Sequence, residues 1–274
     1  KVLSNDLISL QNPISSDLDT MRPSTIPNLL DAINQNKSRM YTRAKIFEVG
    51  PNFSKSLIDC QENVASAIAY GSIDEENWLS NKDNFNVYSV KADLFSILKN
   101  LNVPTENLLY IKTEDNIYHP GKSSTLRLGK NVVAKFGEFH PILLKTMDVN
   151  IKVFGFEIYL DNIFQFQENR TPAKGGFSNN PYQMVERDFS FLFPKEIEAI
   201  EIVKTVKNID KRIISKVTIF DVYEGDKLPD SKKSIAIRVL LQPTDQTFKD
   251  EDIENLSTQI IDQVSNSFKA SIRE

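Results

Sequence analysis

Apolar positions along the chain recur with two different periods, one typical of helices and the other typical of strands. Helical spacing predicts a first helix at residues 27–39, with Ser24 or Thr25 near its N-cap. The further predicted helices of the first part are residues 90–101 and 140–147, and its predicted strands are residues 7–12, 44–49, 64–70, 108–112, 124–128, 131–136 and 153–160. Because strands outnumber helices and residues 129–131 suit a hairpin turn, we expect a mostly antiparallel sheet with flanking helices.

The last third of the chain has a clearer order of elements. Strand patterns occupy residues 187–193, 213–223, 234–242 and 270–273, and helical patterns occupy residues 196–206 and 250–268. The order β-α-β-β-α-β predicts a ferredoxin-like domain. The predicted fold class of the whole chain is therefore α+β.

A polar segment separates the two parts. It is rich in Pro, Gly, Ser and Asn and has little apolar content, which is typical of a linker. We predict a first domain at residues 1–167, a linker at 168–180 and a second domain at 181–274. The two parts share no detectable sequence period, so a repeat protein is excluded.

Composition and charge exclude several classes of protein. The 274 residues have a net charge of -4, and residues 181–274 contain 14 Lys+Arg against 17 Asp+Glu. Nucleic-acid binding by bulk attraction is thereby excluded, and any such contact must come from local patches. No run approaches the roughly 20 apolar residues of a membrane helix, and residues 1–10 lack a signal-peptide core. The single cysteine, Cys60, cannot form an internal disulfide, so we expect a cytoplasmic protein.

Side chains that carry out common enzymatic chemistry are sparse. The histidines His119 and His140 each precede a proline, and no metal-ligand spacing joins them to Cys60. We interpret both histidines as local turn residues. No glycine-rich phosphate-binding loop occurs, and Cys60 has no evident base partner, so the residues alone indicate no active site.

Two local features leave a nucleic-acid role open. Basic residues crowd the first helix and second strand of the second part, and a smaller group follows the first helix of the chain: Lys204, Lys207, Lys211, Arg212 and Lys216, and Arg39, Arg43 and Lys45. One interpretation is that these residues contact phosphates. The other is that they form a solvated face, with cations favoured at a helix C-terminus, and charge alone favours this second interpretation. Phe189, Phe191 and Phe193 share one strand face, which suits base stacking or a core. No RNA-recognition-motif pattern occurs, so a core is favoured.

Ordered motifs run through nearly the whole chain. In the second part an Arg-Asp strand, a Phe-Asp-x-Tyr-x-Gly element, a third strand and the approach to the last helix occupy residues 185–191, 220–225, 232–238 and 242–251. This part resembles the ferredoxin-fold anticodon-binding domain at the C-terminus of bacterial phenylalanyl-tRNA synthetase β subunits. The first part resembles the catalytic-like domain of the same subunit at residues 10–15, 21–30, 46–50, 119–123 and 137–141.

The resemblance implies a supporting role. In that family the α subunit activates phenylalanine with ATP, and the β subunit has a class II synthetase-like fold without catalysis. Catalytic class II domains close on Glu-Arg, whose arginine contacts ATP phosphate, whereas here Glu157 is followed by Ile158. We therefore expect no catalytic residue, metal or cofactor in this chain, with ATP and Mg²⁺ used by the complete enzyme. The expected partners are tRNA(Phe) and the α subunit, in an α2β2 heterotetramer.

The resemblance also implies a longer polypeptide. Lys1 falls inside the catalytic-like domain, so we expect this chain to be a fragment that is inactive alone. Its sheet is expected to be truncated at the N-terminal side and to leave an apolar surface.

Six basic residues are predicted to face tRNA: Arg187, Lys211, Arg212, Lys216, Lys232 and Lys233. Asp221 and Tyr223 are expected to hold the fold, and Arg187 and Asp188 are expected to pair structurally. Two other functions stay open. A single-chain organellar phenylalanyl-tRNA synthetase would catalyse ATP–pyrophosphate exchange alone, and a ferredoxin-like regulatory protein would be stabilised by a small ligand such as an amino acid.

Overall fold

The computed structural model divides the chain into two compact units, Lys1–Ala173 and Lys174–Glu274. The described residues are 7–15, 18–75, 77–79, 83–168, 180–225, 228–229 and 231–273, without the side chains of Ile58 and Glu168. Most of the linker predicted at residues 168–180, namely 169–179, lies outside the described residues.

The first unit combines an antiparallel sheet with flanking helices. Its helices are α1 (Ile26–Ser38), α2 (Val87–Asn100), α3 (Pro141–Thr146) and α4 (Leu160–Glu168), and its strands are β1 (Ala44–Phe53), β2 (Gln61–Tyr70), β3 (Leu109–Ile111), β4 (Tyr118–Leu128), β5 (Asn131–Phe139) and β6 (Phe154–Tyr159). The strands lie in the order β1-β2-β6-β5-β4-β3. Every pairing between these strands is antiparallel, which confirms the predicted sheet.

Two sequence predictions in this unit differ from the structure. The strand predicted at residues 7–12 is wrong, because Ser9 makes only an isolated bridge to Thr20 and this contact is too short to continue as a ladder. The apolar pattern also does not predict α4, which begins where the last predicted strand was expected to end. α4 has only nine residues and follows β6 without a break, so its apolar residues Leu160, Ile163 and Phe164 read as a continuation of the strand pattern.

Helices cover both faces of the first sheet. On one face, α1 and α3 pack around Leu30 and Tyr118, and on the other, α2 and α4 pack around Leu94 and Phe156. Burying each large apolar side chain in this way stabilises the folded state by roughly 1.5–3 kcal/mol relative to leaving it exposed. Polar groups in the middle of the sheet are consequently kept from water.

Local sequence sets the ends of several elements. Asn86 Oδ1 accepts the backbone N–H groups of Tyr88 and Ser89 at 2.8 and 3.0 Å, and Ser89 Oγ accepts the N–H of Asn86 at 2.9 Å. This capping box begins α2. Gly129, with a φ of 62°, lies in the turn between β4 and β5 and confirms the hairpin predicted at residues 129–131.

Strand β1 forms one edge of the sheet and exposes apolar side chains. Phe47 and Val49 are 77% and 59% exposed at alternate positions of this strand. They form an exposed apolar surface of the kind that the sequence predicts for the first part.

The second unit has the predicted β-α-β-β-α-β order. Its elements are β7 (Val185–Pro194), α5 (Ala199–Lys207), β8 (Ile214–Tyr223), β9 (Lys232–Leu241), α6 (Asp250–Phe268) and β10 (Ser271–Ile272). The strands lie in the order β10-β7-β9-β8 and all their pairings are antiparallel. The ferredoxin-like fold is therefore confirmed.

One face of this second sheet is covered by α5 and α6. Phe189, Phe191 and Phe193 are buried there, in one cluster with Ile202 of α5 and Ile260 of α6. Successive phenylalanine rings are 6.2 and 5.8 Å apart, which confirms that these residues form a core. Because side chains alternate along a strand, the residues between them point to the other face.

Candidate functional site

The other face of the second sheet is called the open face, because no helix within the described residues of this unit packs on it. It carries Asp188 of β7, Arg238 of β9 and Tyr223 of β8. These side chains are partly or largely exposed. The open face is therefore a polar and aromatic surface that is accessible within its unit.

Arg238 and Asp188 form a two-pronged ion pair on the open face. Arg238 Nε and Nη2 donate to the two carboxylate oxygens of Asp188 at 2.8 and 2.7 Å. These hydrogen bonds lower the pKa of Asp188 and, in return, raise the pKa of Arg238. The expected pairing of Arg187 with Asp188 is wrong, because neighbours on a strand point to opposite faces. Arg187 instead donates to the backbone oxygen of Glu186 at 3.0 Å.

Two aromatic rings lie beside guanidinium groups on the same face. Arg238 Cζ is 5.2 Å from the ring centre of Phe220, and Arg273 Cζ is 5.7 Å from that of Tyr223. Phe220 occupies a bulge in β8 and is 52% exposed. An exposed ring beside an arginine can stack a flat group such as a nucleic-acid base.

Four of the predicted basic residues lie toward one end of the sheet, where β7 and β8 begin. Lys216 is on the open face of β8, and Arg187 is exposed on β7 with the same facing as the buried phenylalanines. Lys211 and Arg212 occupy the turn that leads into β8, where Asp210 Oδ1 accepts the N–H of Arg212 at 2.8 Å. Lys211, Arg212 and Lys216 are close along the chain, whereas Arg187 lies on another strand and faces the helix side of the sheet.

Lys232 and Lys233 lie at the opposite end of the sheet, where β9 begins. The register partner of Lys216 is Leu240, which lies roughly 26 Å along β9 from Lys232 at about 3.3 Å per residue. Lys233 Nζ donates to the backbone oxygen of Lys195 at 2.9 Å. The six predicted residues thus form two groups at opposite ends of the sheet, and their contact with RNA stays a prediction.

Sequence reasoning missed Arg238, Phe220 and Arg273 as members of the open face. A signal for Arg238 exists, because it lies between Ile237 and Val239, which face the core. A cation between two core positions must point away from that core. The sequence gives no such signal for Phe220, because the side to which its ring points depends on a β-bulge that the apolar pattern does not predict.

A buried carboxylate lies near the middle of the first sheet. Glu157 of β6 is 3% exposed, and it accepts hydrogen bonds from Tyr118 Oη at 3.3 Å and Ser24 Oγ at 3.4 Å. Burial raises its pKa to about 7, against an opposing effect of Lys135. Lys135 itself pairs with Asp115 at 2.8 Å. This buried network links β6 to β4, to β5 and to the segment before α1.

The residue after Glu157 faces the other side of the sheet. Ile158 is fully buried in the apolar cluster that α2 and α4 cover. Its side chain therefore belongs to the core and supplies no charge to the side on which Glu157 lies.

Both histidines make local contacts. His140 Nδ1 accepts the N–H of Ile142 at 3.2 Å and caps α3, and His119 Nδ1 accepts the N–H of Gly121 at 3.1 Å. His140 lies between β5 and α3 as predicted, whereas His119 belongs to β4, so the interpretation of His119 as a turn residue is wrong. Among the residues that the structure describes, no three His, Cys, Asp or Glu side chains are grouped to hold a metal ion. In the same residues, no helix has the length and apolar character needed to cross a membrane.

Comparison with known families assigns a match to each unit. Residues 3–160 match the family described as phenylalanyl tRNA synthetase beta chain CLM domain. Residues 180–273 match the ferredoxin-fold anticodon binding domain. The two matches together leave only short stretches of the chain unassigned.

Individual relatives agree with these matches. The phenylalanine–tRNA ligase beta subunit of Rhodospirillum rubrum is 38% identical over 268 residues, which are 98% of this chain and 34% of that protein. The same subunit of Paramagnetospirillum magneticum is 39% identical over 264 residues, 96% of this chain and 33% of that protein. The chain thus spans about a third of the length of these curated relatives. A solved pyrrolysyl-tRNA synthetase of Desulfitobacterium hafniense has a TM-score of 0.46 at 12% identity, over 60% of this chain and 54% of that one.

Proposed function

This chain belongs to the phenylalanyl-tRNA synthetase β-chain family, and from that premise we propose that it takes part in attaching phenylalanine to tRNA(Phe). Because it spans about a third of its relatives, the activity is proposed for the complete enzyme. In this proposal an α subunit holds the catalytic centre and uses ATP and Mg²⁺. The present chain contributes a scaffold and an RNA-binding domain to a cytoplasmic α2β2 assembly.

The first unit is proposed to support the enzyme without performing phosphoryl chemistry. An ATP site of this kind needs a cation that clamps the phosphate and stabilises developing negative charge. Ile158, which follows Glu157, is in the core, and the Glu157 carboxylate is occupied by a buried network. Both observations support a sheet whose role is structural.

The second unit is proposed to bind tRNA through its open face. The observation that carries this proposal is the pair of exposed rings, Phe220 and Tyr223, beside Arg238 and Arg273. Single-stranded RNA is commonly recognised by stacking unpaired bases on aromatic side chains, with arginines nearby. Such recognition does not require a positive net charge, so it is compatible with the acidic balance of this unit.

The two groups of basic residues at the ends of the sheet are proposed to contact the RNA backbone. Lys211, Arg212, Lys216 and Arg187 would serve one end, and Lys232 with Lys233 the other. Phosphate contacts fix the position of a nucleic acid, and stacking fixes its bases.

Aminoacylation by the full-length β subunit with its α subunit tests the stacking proposal. Phe220→Ala is expected to raise the KM for tRNA about tenfold, since one base–ring stack contributes roughly 1–3 kcal/mol. Phe220→Tyr keeps a ring and should restore most of the affinity. ATP–pyrophosphate exchange, which needs no tRNA, should stay at the wild-type rate in both variants. An unchanged KM in Phe220→Ala would refute stacking at this position.

Charge reversal tests the phosphate contacts separately. Lys211→Glu with Arg212→Glu should weaken tRNA binding and lower the log–log salt slope by roughly 0.7–0.9 for each phosphate that the variant no longer neutralises. Lys130→Glu, in the hairpin turn of the first unit, is a matched exposed control that should leave the slope unchanged. An unaltered KM and salt slope in the double variant would remove these two residues from the RNA interface.

A further inference from the structure

The first unit contains a cavity of about 700 Å³ whose lining does not include Glu157 or its hydrogen-bond partners. Four segments meet around it: the end of α1, the end of β2, the residues before α2 and the residues before β6. Its volume falls within the range of roughly 300–1,000 Å³ that is usual for small-molecule sites. The cavity is partly open to solvent, so a ligand can enter it.

The walls of this cavity are mostly apolar and aromatic. Tyr70, Phe85, Ile151 and Phe154 line it, and Tyr70 and Phe154 are nearly fully buried members of the two cores of this unit. Tyr70 Oη donates to the backbone oxygen of Tyr41 at 3.1 Å, so its hydroxyl is already bonded, and its buried ring supports the wall from behind. A flat apolar group is the partner that such walls favour.

The frame of the cavity is held by close backbone packing. Gly71 has a φ of 81°, and a side chain there would meet the backbone of Thr42 and Arg43. The end of β2 therefore lies directly against the segment that follows α1. The capping box of Asn86 fixes the third segment at the start of α2. A frame set in this way keeps its shape without a ligand, which lowers the entropy lost on binding.

The charges that line the cavity are all positive. Lys37 and Lys152 are the charged residues among its lining, which contains no aspartate or glutamate. Neither lysine has an ion-pair partner among the residues that the structure describes. An anion would therefore gain from both lysines, whereas an ammonium group would find no carboxylate to receive it.

We propose that this cavity binds a small aromatic carboxylate, with its ring against Phe85, Ile151 and Phe154 and its carboxylate near Lys37 and Lys152. A zwitterionic amino acid fits less well, because its ammonium group would add repulsion from the lysines. A nucleotide also fits less well, because the few polar side chains of the lining are outweighed by apolar surface, and Asn86 Oδ1 already accepts two backbone N–H groups at the start of α2. The ligand class is thus set by apolar walls and an excess of positive charge.

Binding of matched naphthalene derivatives to the 274-residue chain tests the proposal by isothermal titration calorimetry. The probes are 2-naphthoate, 2-naphthylmethanol and 2-naphthylmethylamine, which share a ring and differ in charge. We expect 2-naphthoate to bind, the neutral alcohol to bind roughly fivefold more weakly, and the amine to bind more weakly still. Equal affinity for the acid and the alcohol would overturn the role of the lysines, and absence of 2-naphthoate binding would overturn the site.

Variants place the binding at this cavity. Lys37→Gln with Lys152→Gln should weaken 2-naphthoate roughly fivefold and leave 2-naphthylmethanol unchanged. Ile151→Trp should fill the cavity and abolish binding of both compounds. Lys99→Gln, at the far end of α2, is the matched control and should have no effect. Because the lysines lie outside the core, their double variant decides the outcome even where Ile151→Trp is unstable.

Adenosine monophosphate serves as the competing class of ligand. It should bind more weakly than 2-naphthoate. Tighter binding of the nucleotide, sensitive to the same lysine variants, would overturn the assignment to aromatic carboxylates and replace it with a phosphate-bearing ligand.

Discussion

The two sheets of this chain place a carboxylate in opposite surroundings. In the first unit Glu157 lies in a sheet with helices on both faces, and burial raises its pKa to about 7. In the second unit Asp188 lies on the open face, which no helix covers within the described residues of that unit, and the hydrogen bonds from Arg238 lower its pKa. Burial without a cation in hydrogen-bond contact raises the pKa of Glu157, whereas an exposed ion pair lowers that of Asp188. A sheet covered twice suits a scaffold, and a sheet covered once leaves a surface for a partner.

The largest expected contrast lies between the two faces of the second sheet. Phe191→Ala should lower the free energy of unfolding of this unit by about 3–5 kcal/mol, because it empties a fully buried position. Phe220→Ala, on the open face, should lower it by less than about 1 kcal/mol. Urea unfolding followed by circular dichroism measures both losses. A comparable loss of unfolding free energy in the two variants would mean that Phe220 is packed in the folded protein and that this face is not exposed.

The next effect is the pH dependence of the first unit. Glu157 holds a proton in the folded state up to about pH 7, whereas an unfolded glutamate releases it near pH 4.5. The free energy of unfolding should therefore fall by about 3 kcal/mol as pH rises through this window. Stability from this group is fully present below pH 4.5 and is lost as pH passes the folded pKa.

The variant Glu157→Gln isolates this effect. Urea unfolding of both proteins between pH 4.5 and 7.5 gives the difference between their free energies of unfolding, wild type minus variant, at each pH. This difference should fall as pH rises, because glutamate titrates in the wild type and the amide of the variant does not. The neighbours Lys135, Asp115, Ser24 and Tyr118 are unchanged in this comparison. Glu106→Gln, at an exposed glutamate of the same unit, should keep the wild-type slope. A flat difference would show that Glu157 is ionised in the folded protein.

The smallest effect concerns the ion pair of the open face. Arg238→Gln should raise the pKa of Asp188 toward its usual value of about 3.9, which an NMR titration of the carboxyl carbon measures. Stability should change little, because both side chains are about half exposed. The ion pair contributes to the free energy of unfolding at pH values above the pKa of an unfolded aspartate. The free energies of unfolding of wild type and variant should therefore converge as pH falls below the folded pKa of Asp188. Persistence of the low pKa in the variant would assign it to another group.

The order of elements was readable from sequence because core positions keep strict periods in both units. Phe189, Phe191 and Phe193 alternate on β7, and the spacing of Leu94 and Leu98 marks α2. In the second unit the predicted order of strands and helices therefore agrees with the structure. In the first unit the pattern failed at two short segments, residues 7–12 and α4, where few apolar positions are available to distinguish one period from the other.

The candidate sites depended on contacts between distant parts of the chain. Asp188 pairs with Arg238, 50 positions away, and not with its neighbour Arg187. Glu157 meets Ser24 across 133 positions, so its burial could not be inferred from β6 alone. Register also separated Lys232 from Lys216, although both are basic residues of neighbouring strands. Periodicity gives the facing of a residue within its own strand, and only the assembled sheet gives its partners.

The bulge at Phe220 lets β8 carry one residue more than the facing stretch of β9. One extra residue shifts the two-residue alternation of the strand by one step, so that Asp221 and Tyr223 both lie opposite open-face residues of β9. Removing Phe220 altogether would place Asp221 directly after Ile219 and restore a regular ladder, in which Asp221 and Tyr223 still lie opposite Ala236 and Ser234. Replacing it would leave their facing intact. Phe220 is thus an inserted residue that the sheet absorbs at a single point, so that β8 can gain or lose it without exchanging the faces of any downstream side chain.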